Sequence, residues 1–213
     1  MKSVNKLIIV GAGGFGKEVA WLAKRCGKEI LGFLDDTLEK QNLILNDLPV
    51  LGPLALYEQY LECDFILAIG NPRAKEKIVR DKLQKVKKFT TLIDPSALVG
   101  ENIFLGEGVI ICAGSILTVN IKIGNHVAIN LNTSIGHDVV VGSYSTISPN
   151  VALSGNLQIG NYVEIGTNAA LREKLQIGDG AMIGMGAVVT KDVDTNHVVV
   201  GNPAKLLKIL ENA

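Results

Sequence analysis

Aliphatic side chains recur at every sixth position through the second half of the chain. Seventeen consecutive positions at this spacing are isoleucine, leucine or valine. They are Ile93, Val99, Leu105, Ile111, Leu117, Ile123, Ile129, Ile135, Val141, Ile147, Leu153, Ile159, Ile165, Leu171, Ile177, Ile183 and Val189. Helices and strands have shorter periods, whereas a chain that turns a corner every six residues and stacks its coils has a period of six. The spacing therefore predicts a left-handed parallel β-helix, with three short strands in each coil.

The positions between these aliphatics favour the same fold. The fourth residue after each one is always small or aliphatic, from Ala97 through Thr133 to Val193. The residue directly after it is most often glycine, which we expect to relieve the turn at each corner. The repeat has no insertion, so about five to six coils are expected. Beyond it we expect an extension, a proline turn and a short C-terminal helix.

The first 92 residues follow a different pattern. Apolar runs such as KLIIV and CDFILAIG alternate with stretches of helical spacing, of which GKEVAWLAKRCG is the first. This alternation predicts a small parallel sheet flanked by helices. Two domains are therefore expected: a small Rossmann-like α/β domain at 1–92, and the all-β helix at 93–213.

Composition argues against several classes of function. The formal net charge is zero, which leaves no electrostatic basis for binding nucleic acid or an acidic membrane. The three cysteines have neither paired nor metal-ligand spacing and are expected to be reduced thiols in a cytoplasmic protein. The first apolar run ends at Gly11 after a few residues, too short for a signal peptide or a membrane span.

The segment LNTSIGHDVVVG places His137 beside Asp138 in the middle of the repeat. Because residues 18 apart stack on neighbouring coils, we expect His137 to lie next to Val119 and Gly155, near a corner and pointing outward. The carboxylate can fix the imidazole tautomer, and a neutral histidine suits removal of a proton from an attacking amine or hydroxyl. A structural histidine satisfied by a hydrogen bond is the alternative interpretation.

A metal site is the other common use of histidines on such a prism. The three histidines of the chain are His126, His137 and His197. Neither interval between them is a multiple of 18, so these side chains do not stack into one ligand set. No metal is therefore expected.

A glycine-rich motif lies between the first predicted strand and the first helix. Gly11, Gly13 and Gly16 fit G-x-G-x-x-G, and Asp35 follows at the end of the next strand. The domain is too short for a complete dinucleotide fold, so the motif favours a mononucleotide diphosphate at the helix N-terminus. The segment AIGNPR, residues 68–73, is expected at the same sheet edge. A glycine turn of packing value alone is the alternative.

The whole chain resembles bacterial sugar acetyltransferases that join a small Rossmann-like domain to a left-handed β-helix. The resemblance rests on GAGGFGKEVA, GFLDD, AIGN, SIGHDVVVG, LSGNLQIG, MIGMGAVVTKDV and VVVGNPAK. The group includes N-acetyltransferases of nucleotide-linked 4-amino-sugars, as in bacillosamine and perosamine synthesis, and sialic acid O-acetyltransferases.

The resemblance implies roles for individual residues. His137 is the expected general base, Asp138 its support, and the Gly155 N–H the donor to the thioester carbonyl of acetyl-CoA. The residues expected to bind the nucleotide sugar are Gly13, Phe15, Gly16, Lys17, Asp35, Asp36, Gly70 and Asn71. Those expected along acetyl-CoA are Gly155, Gly166, Thr167, Gly184, Gly186, Lys191 and Lys205. Some relatives carry a second histidine where this chain has Thr146.

The expected reaction is acetyl transfer from acetyl-CoA to the 4-amino group of a 4-amino-4,6-dideoxysugar, linked to UDP, for surface glycan or glycoprotein synthesis. Prisms of this kind form threefold homotrimers, and the site is expected between subunits. An O-acetyltransferase acting on sialic acid or a related hydroxyl is the alternative, since histidine suits either acceptor. A non-catalytic, nucleotide-sensing prism is a third interpretation.

Overall fold

The computed structural model describes residues 6–211, and the chain divides into two compact units between Leu92 and Ile93. This division falls where the repeat begins. Within the described residues, no helix has both the length and the apolar character needed to cross a membrane.

The first unit is a small α/β domain. Its strands and helices are β1 (Leu7–Val10), α1 (Gly14–Arg25), β2 (Ile30–Leu34), β3 (Ile44–Leu45), β4 (Leu48–Gly52), β5 (Asp64–Leu67) and α2 (Pro72–Lys82). Two 3-10 helices lie at Leu38–Lys40 and Leu54–Tyr60. The sheet order is β3-β4-β2-β1-β5, and all pairs are parallel except β3 with β4.

The position of β1 in this sheet decides where a ligand can bind. Its four residues are fully buried, as a strand covered on both faces requires. It pairs with β2 on one side and β5 on the other. From β1 the chain continues to β2 and β4 on one side, and it then crosses over to add β5 on the other side, so the strand order reverses at β1. Ligands of open α/β sheets bind at such a switch point, beyond the carboxyl ends of the strands.

The second unit is a triangular prism of two-residue strands. They are β6 (Leu92–Ile93), β7 (Leu98–Val99), β8 (Phe104–Leu105), β9 (Ile110–Ile111), β10 (Ile116–Leu117), β11 (Lys122–Ile123), β12 (Ala128–Ile129), β13 (Ser134–Ile135), β14 (Val140–Val141), β15 (Thr146–Ile147), β16 (Ala152–Leu153), β17 (Gln158–Ile159), β18 (Glu164–Ile165), β19 (Ala170–Leu171), β20 (Gln176–Ile177), β21 (Met182–Ile183) and β22 (Val188–Val189). Two longer strands follow, β23 (His197–Val200) and β24 (Lys205–Ile209).

Each short strand pairs in parallel with the strand one coil further along the chain, as β10 does with β13, which gives three flat faces. We call β7, β10, β13, β16, β19 and β22 face 1, and β8, β11, β14, β17 and β20 face 2. Face 3 holds β6, β9, β12, β15, β18, β21, β23 and β24. The turns after faces 1, 2 and 3 are corners 1, 2 and 3. The predicted β-helix is confirmed, and its pairing stays in register without insertion.

The two aliphatic registers of the repeat form the core of the prism. From Ile111 to Val189 every sixth-residue aliphatic is buried, and so is every residue of the second register from Val109 to Val193. Burying such an aliphatic side chain contributes about 1.5–3 kcal/mol. The few polar members are satisfied: the hydroxyl of Ser115 donates to the Asn130 carbonyl, and that of Ser145 to the Gly160 carbonyl. These hydrogen bonds offset the free-energy cost of removing the hydroxyls from water.

The corners turn differently from the expectation. Residues with positive φ, between +55° and +73°, lie three places after each aliphatic from Val99 to Ile183, and asparagine is the most frequent of them. The glycine directly after the aliphatic has another purpose: a Cβ on Gly142 would overlap the backbone of Gly160 on the next coil. The expectation that this glycine relieves the turn was wrong. It permits close stacking of coils, while asparagine tolerates the left-handed conformation.

The C-terminal segment also differs from the expectation. Residues Lys205–Ile209 form β24, an antiparallel partner of β23, after a turn that contains the cis Asn202–Pro203 bond. The predicted short helix was wrong. A short apolar run fits either a helix or a strand, and here the unpaired edge of β23 supplies partners for the backbone.

The stacking distance gives a test of the prism. Gly142→Ala is expected to destabilise the second unit by about 2 kcal/mol, since the new methyl group forces two coils apart. This corresponds to a decrease of about 4–8 °C in Tm. Ser154→Ala, at the corresponding position of an exposed corner, is the control and is expected to leave Tm unchanged. Equal Tm values for wild type and Gly142→Ala would contradict the overlap.

Candidate active site

His137 lies at corner 1, in the turn between β13 and β14. Its side chain is 58% exposed, because the interior is filled by the aliphatic registers on either side of the turn. The Asn156 N–H donates to the His137 carbonyl, and the Asp138 N–H donates to that of Val119. Backbone bonds to the coils on both sides therefore hold the turn while its side chains face outward.

His137 and Asp138 form a hydrogen-bonded pair. The imidazole Nδ1 lies 2.7 Å from Asp138 Oδ2. The hydrogen bond from His137, then that from Asn120, hold the pKa of the Asp138 carboxyl below its ordinary value. A carboxylate only accepts hydrogen bonds, so Nδ1 carries the proton and Nε2 of the neutral ring has a free lone pair. Nε2 is therefore the atom that can accept a proton from a substrate.

Gly155 lies next to that nitrogen. A Cβ built on Gly155 would be 2.5 Å from His137 Nε2, so only glycine leaves room for the ring in this orientation. The expected stacking of residues 137 and 155 is confirmed. The bare glycine also exposes its backbone to any molecule in contact with Nε2.

The Gly155 N–H differs from its counterparts at corner 2. There the N–H groups of Asn125, Ser143 and Asn161 each donate to a side chain one coil further along. The Gly155 N–H has no such acceptor within residues 6–211. Corner 1 thus brings a proton acceptor and a backbone donor side by side. This is the combination that acyl transfer needs, a base for the nucleophile and a donor for the developing oxyanion.

The sheet edge of the first unit has its own candidate site. The Ala68 N–H donates to the Val10 carbonyl, and Gly11 packs against Ala68 and Ile69, so the loops after β1 and β5 are adjacent. A helix begins directly after each loop. The N-terminus of α1 has no acidic residue in its first turn, and its N-cap Gly13 provides no side-chain cap. Its free N–H groups favour an anionic group such as phosphate.

Asp35 anchors this edge. Its carboxylate accepts from the Ala12 N–H at 2.7 Å, the Thr37 N–H at 2.9 Å and Lys40 Nζ at 3.0 Å. Burial raises the pKa of Asp35, but hydrogen bonds from Thr37, Ala12 and Lys40 outweigh it and lower the pKa to about 2. The ionised carboxylate therefore fixes the glycine-rich loop to the loop after β2.

The other predicted nucleotide residues differ in what they can offer. Asp36 accepts from the Leu54 N–H and pairs with Lys82 at 2.6 Å, and Asn71 caps α2 by accepting from the Ala74 N–H. Gly16 is buried because α1 crosses close to the Gly11 carbonyl. Three of the predicted residues are more accessible to a ligand: Gly13 and Phe15 are half-buried, and Lys17 is exposed. Gly70 lies in the loop after β5.

Two family models match the chain. The PglD N-terminal domain matches residues 6–82, and the bacterial transferase hexapeptide (six repeats) matches residues 156–191. A comparison with curated proteins found no match.

Solved structures resemble the chain over almost its whole length. The acetyltransferase domain of PglB from Neisseria gonorrhoeae is 33% identical with a TM-score of 0.88, over 95% of this chain and 100% of that one. WeeI from Acinetobacter baumannii is 32% identical with a TM-score of 0.85, over 95% and 99%. Perosamine N-acetyltransferase from Caulobacter crescentus, solved with CoA and GDP-perosamine, is 26% identical with a TM-score of 0.89, over 97% and 98%.

The chain belongs to this family of hexapeptide-repeat sugar N-acetyltransferases. No group of three or more His, Cys, Asp or Glu side chains in the described part of this acetyltransferase could hold a metal ion.

The residues predicted to contact acetyl-CoA fall into separate groups. Gly166 stacks on Gly184, and the Gly186 N–H donates to the Thr167 carbonyl, so these four belong to corner 3. Lys191 lies on corner 1, three coils beyond His137, and Lys205 lies on β24. Corners 1 and 3 are the two edges of face 1. One prism therefore does not bring all of these acetyltransferase residues together.

Sequence reasoning missed three residues of corner 1. Asn120 donates to Asp138 Oδ1 at 3.2 Å, and the exposed Arg172 and Lys174 lie one coil beyond Gly155. The one-coil spacing that linked His137 to Gly155 also links Asn120 to Asp138. The same arithmetic, applied to every residue of the turn, would have found all three.

The hydrogen bonds of Asp35 in the first unit can be tested through the pH dependence of stability. Because the folded pKa of Asp35 lies below its ordinary 3.8, it stabilises the fold above that pH, and this contribution disappears as the pH falls through about 2. Asp35→Asn is expected to lower the free energy of unfolding at pH 7 by about 2 kcal/mol. Urea unfolding followed by fluorescence of Trp21, the single tryptophan, measures it within this unit.

Asp47→Asn is the control, since Asp47 is exposed and asparagine also tolerates its positive φ. The difference in free energy of unfolding between wild type and Asp35→Asn should decrease below pH 4. If this difference in free energy stayed constant down to pH 2, the charge of the Asp35 carboxylate would not contribute to stability.

Proposed function

We propose that this chain transfers the acetyl group of acetyl-CoA to the 4-amino group of a nucleotide-linked 4-amino-4,6-dideoxysugar. The observation that carries the proposal is the contact of His137 Nε2 with Gly155, which places a proton acceptor beside a backbone N–H that is unpaired in the described chain. A sugar amine, a thioester and these two groups make up a complete acyl-transfer reaction.

The reaction has two steps. The amine nitrogen attacks the thioester carbonyl carbon, and His137 Nε2 takes a proton from that nitrogen while the Asp138 carboxylate stabilises the imidazolium. The Gly155 N–H donates to the carbonyl oxygen as it becomes negative, and one such donor lowers the barrier by about 3 kcal/mol. The tetrahedral intermediate then collapses, the C–S bond breaks, and the imidazolium proton goes to the CoA sulfur. The products are the acetamido sugar and free CoA.

Charge along corner 1 supports the direction of acetyl-CoA. Beyond Gly155 corner 1 carries two exposed acidic side chains, Glu173 and Asp192, and three exposed cationic ones, Arg172, Lys174 and Lys191. The CoA phosphates carry several negative charges, which the three cations can neutralise once the thioester lies at Gly155. The donor would then run along the coils that follow Gly155, and the acceptor would approach from the other side.

The acceptor is proposed to bind through its nucleotide at the first unit's sheet edge. The uncapped N-terminus of α1 suits a diphosphate, and the neighbouring loop after β5 suits the ribose or base. We propose UDP as the carrier, on the resemblance to the bacillosamine group. We place the reaction in the cytoplasm, where both proposed substrates are made.

We further propose a homotrimer with the active site between subunits. The outward residues of face 1 are Leu98, Ile116, Ser134, Ala152, Ala170 and Val188. None is charged, and a flat uncharged face of this kind is typical of subunit contacts. Corners 1 and 3 border this face, so contact with a second copy could unite His137 of one subunit with the glycine column of another.

The acceptor is tested by CoA release from acetyl-CoA, with 4-amino-sugars linked to UDP, dTDP and GDP. Saturating release with one of them, and an acetamido product by mass spectrometry, supports the proposal. Release with sialic acid or another hydroxyl acceptor alone would make the chain an O-acetyltransferase. No release with any acceptor would contradict catalysis.

Replacing the base is expected to reduce turnover strongly. His137→Ala should lower kcat by about two to four orders of magnitude with the KM for acetyl-CoA little changed, because it removes proton transfer and not donor binding. His197→Ala, on β23, is the matched control and should keep wild-type turnover. Near-normal turnover of His137→Ala with an intact fold would rule out its role as base.

A charge on face 1 is expected to break the trimer. Ala152→Glu puts a carboxylate into the proposed contact, where desolvating an unpaired charge costs several kcal/mol, and it should dissociate the trimer at micromolar concentration. Gln158→Glu on face 2 is the control, exposed in the same way. Sedimentation velocity distinguishes them, and a wild-type monomer or a trimeric Ala152→Glu would argue against face 1 as the contact.

A further inference from the structure

We infer that Asn120 is a positioning residue, which holds the Asp138 carboxylate in the orientation that fixes the His137 ring. The inference rests on the proposed function of His137 as base. Asn120 touches neither His137 nor any reacting atom in this scheme, and it would act only through Asp138.

The two carboxylate oxygens of Asp138 have different hydrogen-bond partners. Asn120 Nδ2 donates to Oδ1 at 3.2 Å, while Oδ2 lies 2.7 Å from His137 Nδ1. The side chains of His137 and Asp138 are 58% and 46% exposed, so their orientation depends mainly on hydrogen bonds. A carboxylate held only by one oxygen can rotate about its Cβ–Cγ bond, and the second hydrogen bond opposes that rotation.

A second asparagine holds the first. Asn102 Nδ2 donates to Asn120 Oδ1 at 3.1 Å, which leaves the amide nitrogen of Asn120 directed at Asp138. The chain of bonds therefore runs Asn102, Asn120, Asp138, His137 over three successive coils. An amide has an acceptor oxygen and a donor nitrogen, so the side chain of Asn120 satisfies both neighbours at once.

The backbone restricts what can replace Asn120. Its φ is +57°, a left-handed conformation that glycine, asparagine and aspartate tolerate. Asn120→Gly therefore removes the donor without backbone strain. Asn120→Asp keeps the shape but turns the donor into an acceptor that faces the Asp138 carboxylate. Asn150, exposed at corner 3 with φ +58°, is the matched control for both changes.

Kinetics test whether Asn120 acts through Asp138. Asn120→Gly is expected to lower kcat about three- to tenfold with the KM for acetyl-CoA unchanged, as loss of one charge-assisted hydrogen bond allows. Asn120→Asp should lower kcat at least as far, and Asn150→Gly and Asn150→Asp should not. In an Asp138→Gly background, Asn120→Gly should cause no further loss, because its partner is already absent.

A spectrum of the imidazoles tests the inference without any substrate. The chain has three histidines, so their ¹⁵N side-chain signals can be assigned with His137→Ala. His137 is expected in the Nδ1-protonated tautomer in wild type and Asn150→Gly, and as a tautomer mixture in Asn120→Gly. Unchanged His137 signals in Asn120→Gly would overturn the inference, and so would a loss of kcat that is equally large in the Asp138→Gly background.

These outcomes separate the two proposals. If wild type transferred acetyl to no acceptor, the proposed function would fall, and the imidazole spectrum alone would decide whether Asn120 orients the pair. If Asp138→Gly kept full turnover, the inference would fall while His137 could still be the base.

Discussion

The backbone hydrogen bonds between coils determine almost everything else in the second unit. Each two-residue strand inside the stack pairs with the strands directly above and below it, as β13 does with β10 and β16, so its side chains have fixed neighbours on both adjoining coils. The aliphatic registers can fill the core only while that spacing holds, and the glycines of corner 2 allow coils to approach closely enough for the bonds to form. An insertion would have to loop out at a corner to leave the later coils in register. The fold is stable because every coil adds the same backbone pairing and the same buried aliphatic contacts with its neighbours.

The proposed active site lies where the regular pattern of corner hydrogen bonds is interrupted. At corner 2 the side chain of one coil accepts from the backbone of the preceding coil, which closes a ladder along the corner. At corner 1, Gly155 has no side chain that could accept from the His137 N–H one coil earlier, and within the described chain the Glu173 side chain does not accept from the Gly155 N–H. The His137 ring occupies the vacated space. The contact of His137 with Gly155 therefore takes the place of one side-chain hydrogen bond of that ladder.

The sequence predicts those parts of the fold and of the candidate site that follow directly from the six-residue spacing. It predicted the prism and the contact of His137 with Gly155, since both follow from spacing alone. The same spacing places Asn120 one coil before Asp138, but only the direction of the side chains shows that the Asn120 amide donates to the carboxylate. The strand at Lys205–Ile209 was missed for a different reason: a local apolar pattern does not reveal that β23 ends the stack with an open edge, ready to pair with the segment that follows it. Nor did the motif around Asp35 show that the Ala12 N–H, in the glycine-rich loop, already binds the carboxylate.

That occupied carboxylate changes how the glycine-rich motif should be understood. A sequence motif lists residues that could touch a phosphate or a ribose, but a polar residue can contact a ligand only with atoms that the fold has not used. Asp35 holds the loop, Gly16 allows α1 to pack, and Asn71 caps α2, so each prepares the edge without necessarily facing the ligand. Among residues 6–211, no side chain caps the N–H groups at the start of α1, and such groups favour an anion. The same distinction holds at corner 1, where Asp138 prepares His137 and the backbone of Gly155 stays free. In the proposed mechanism, the carboxylates of Asp35 and Asp138 position the two sites, and backbone N–H groups remain free to donate to the substrates.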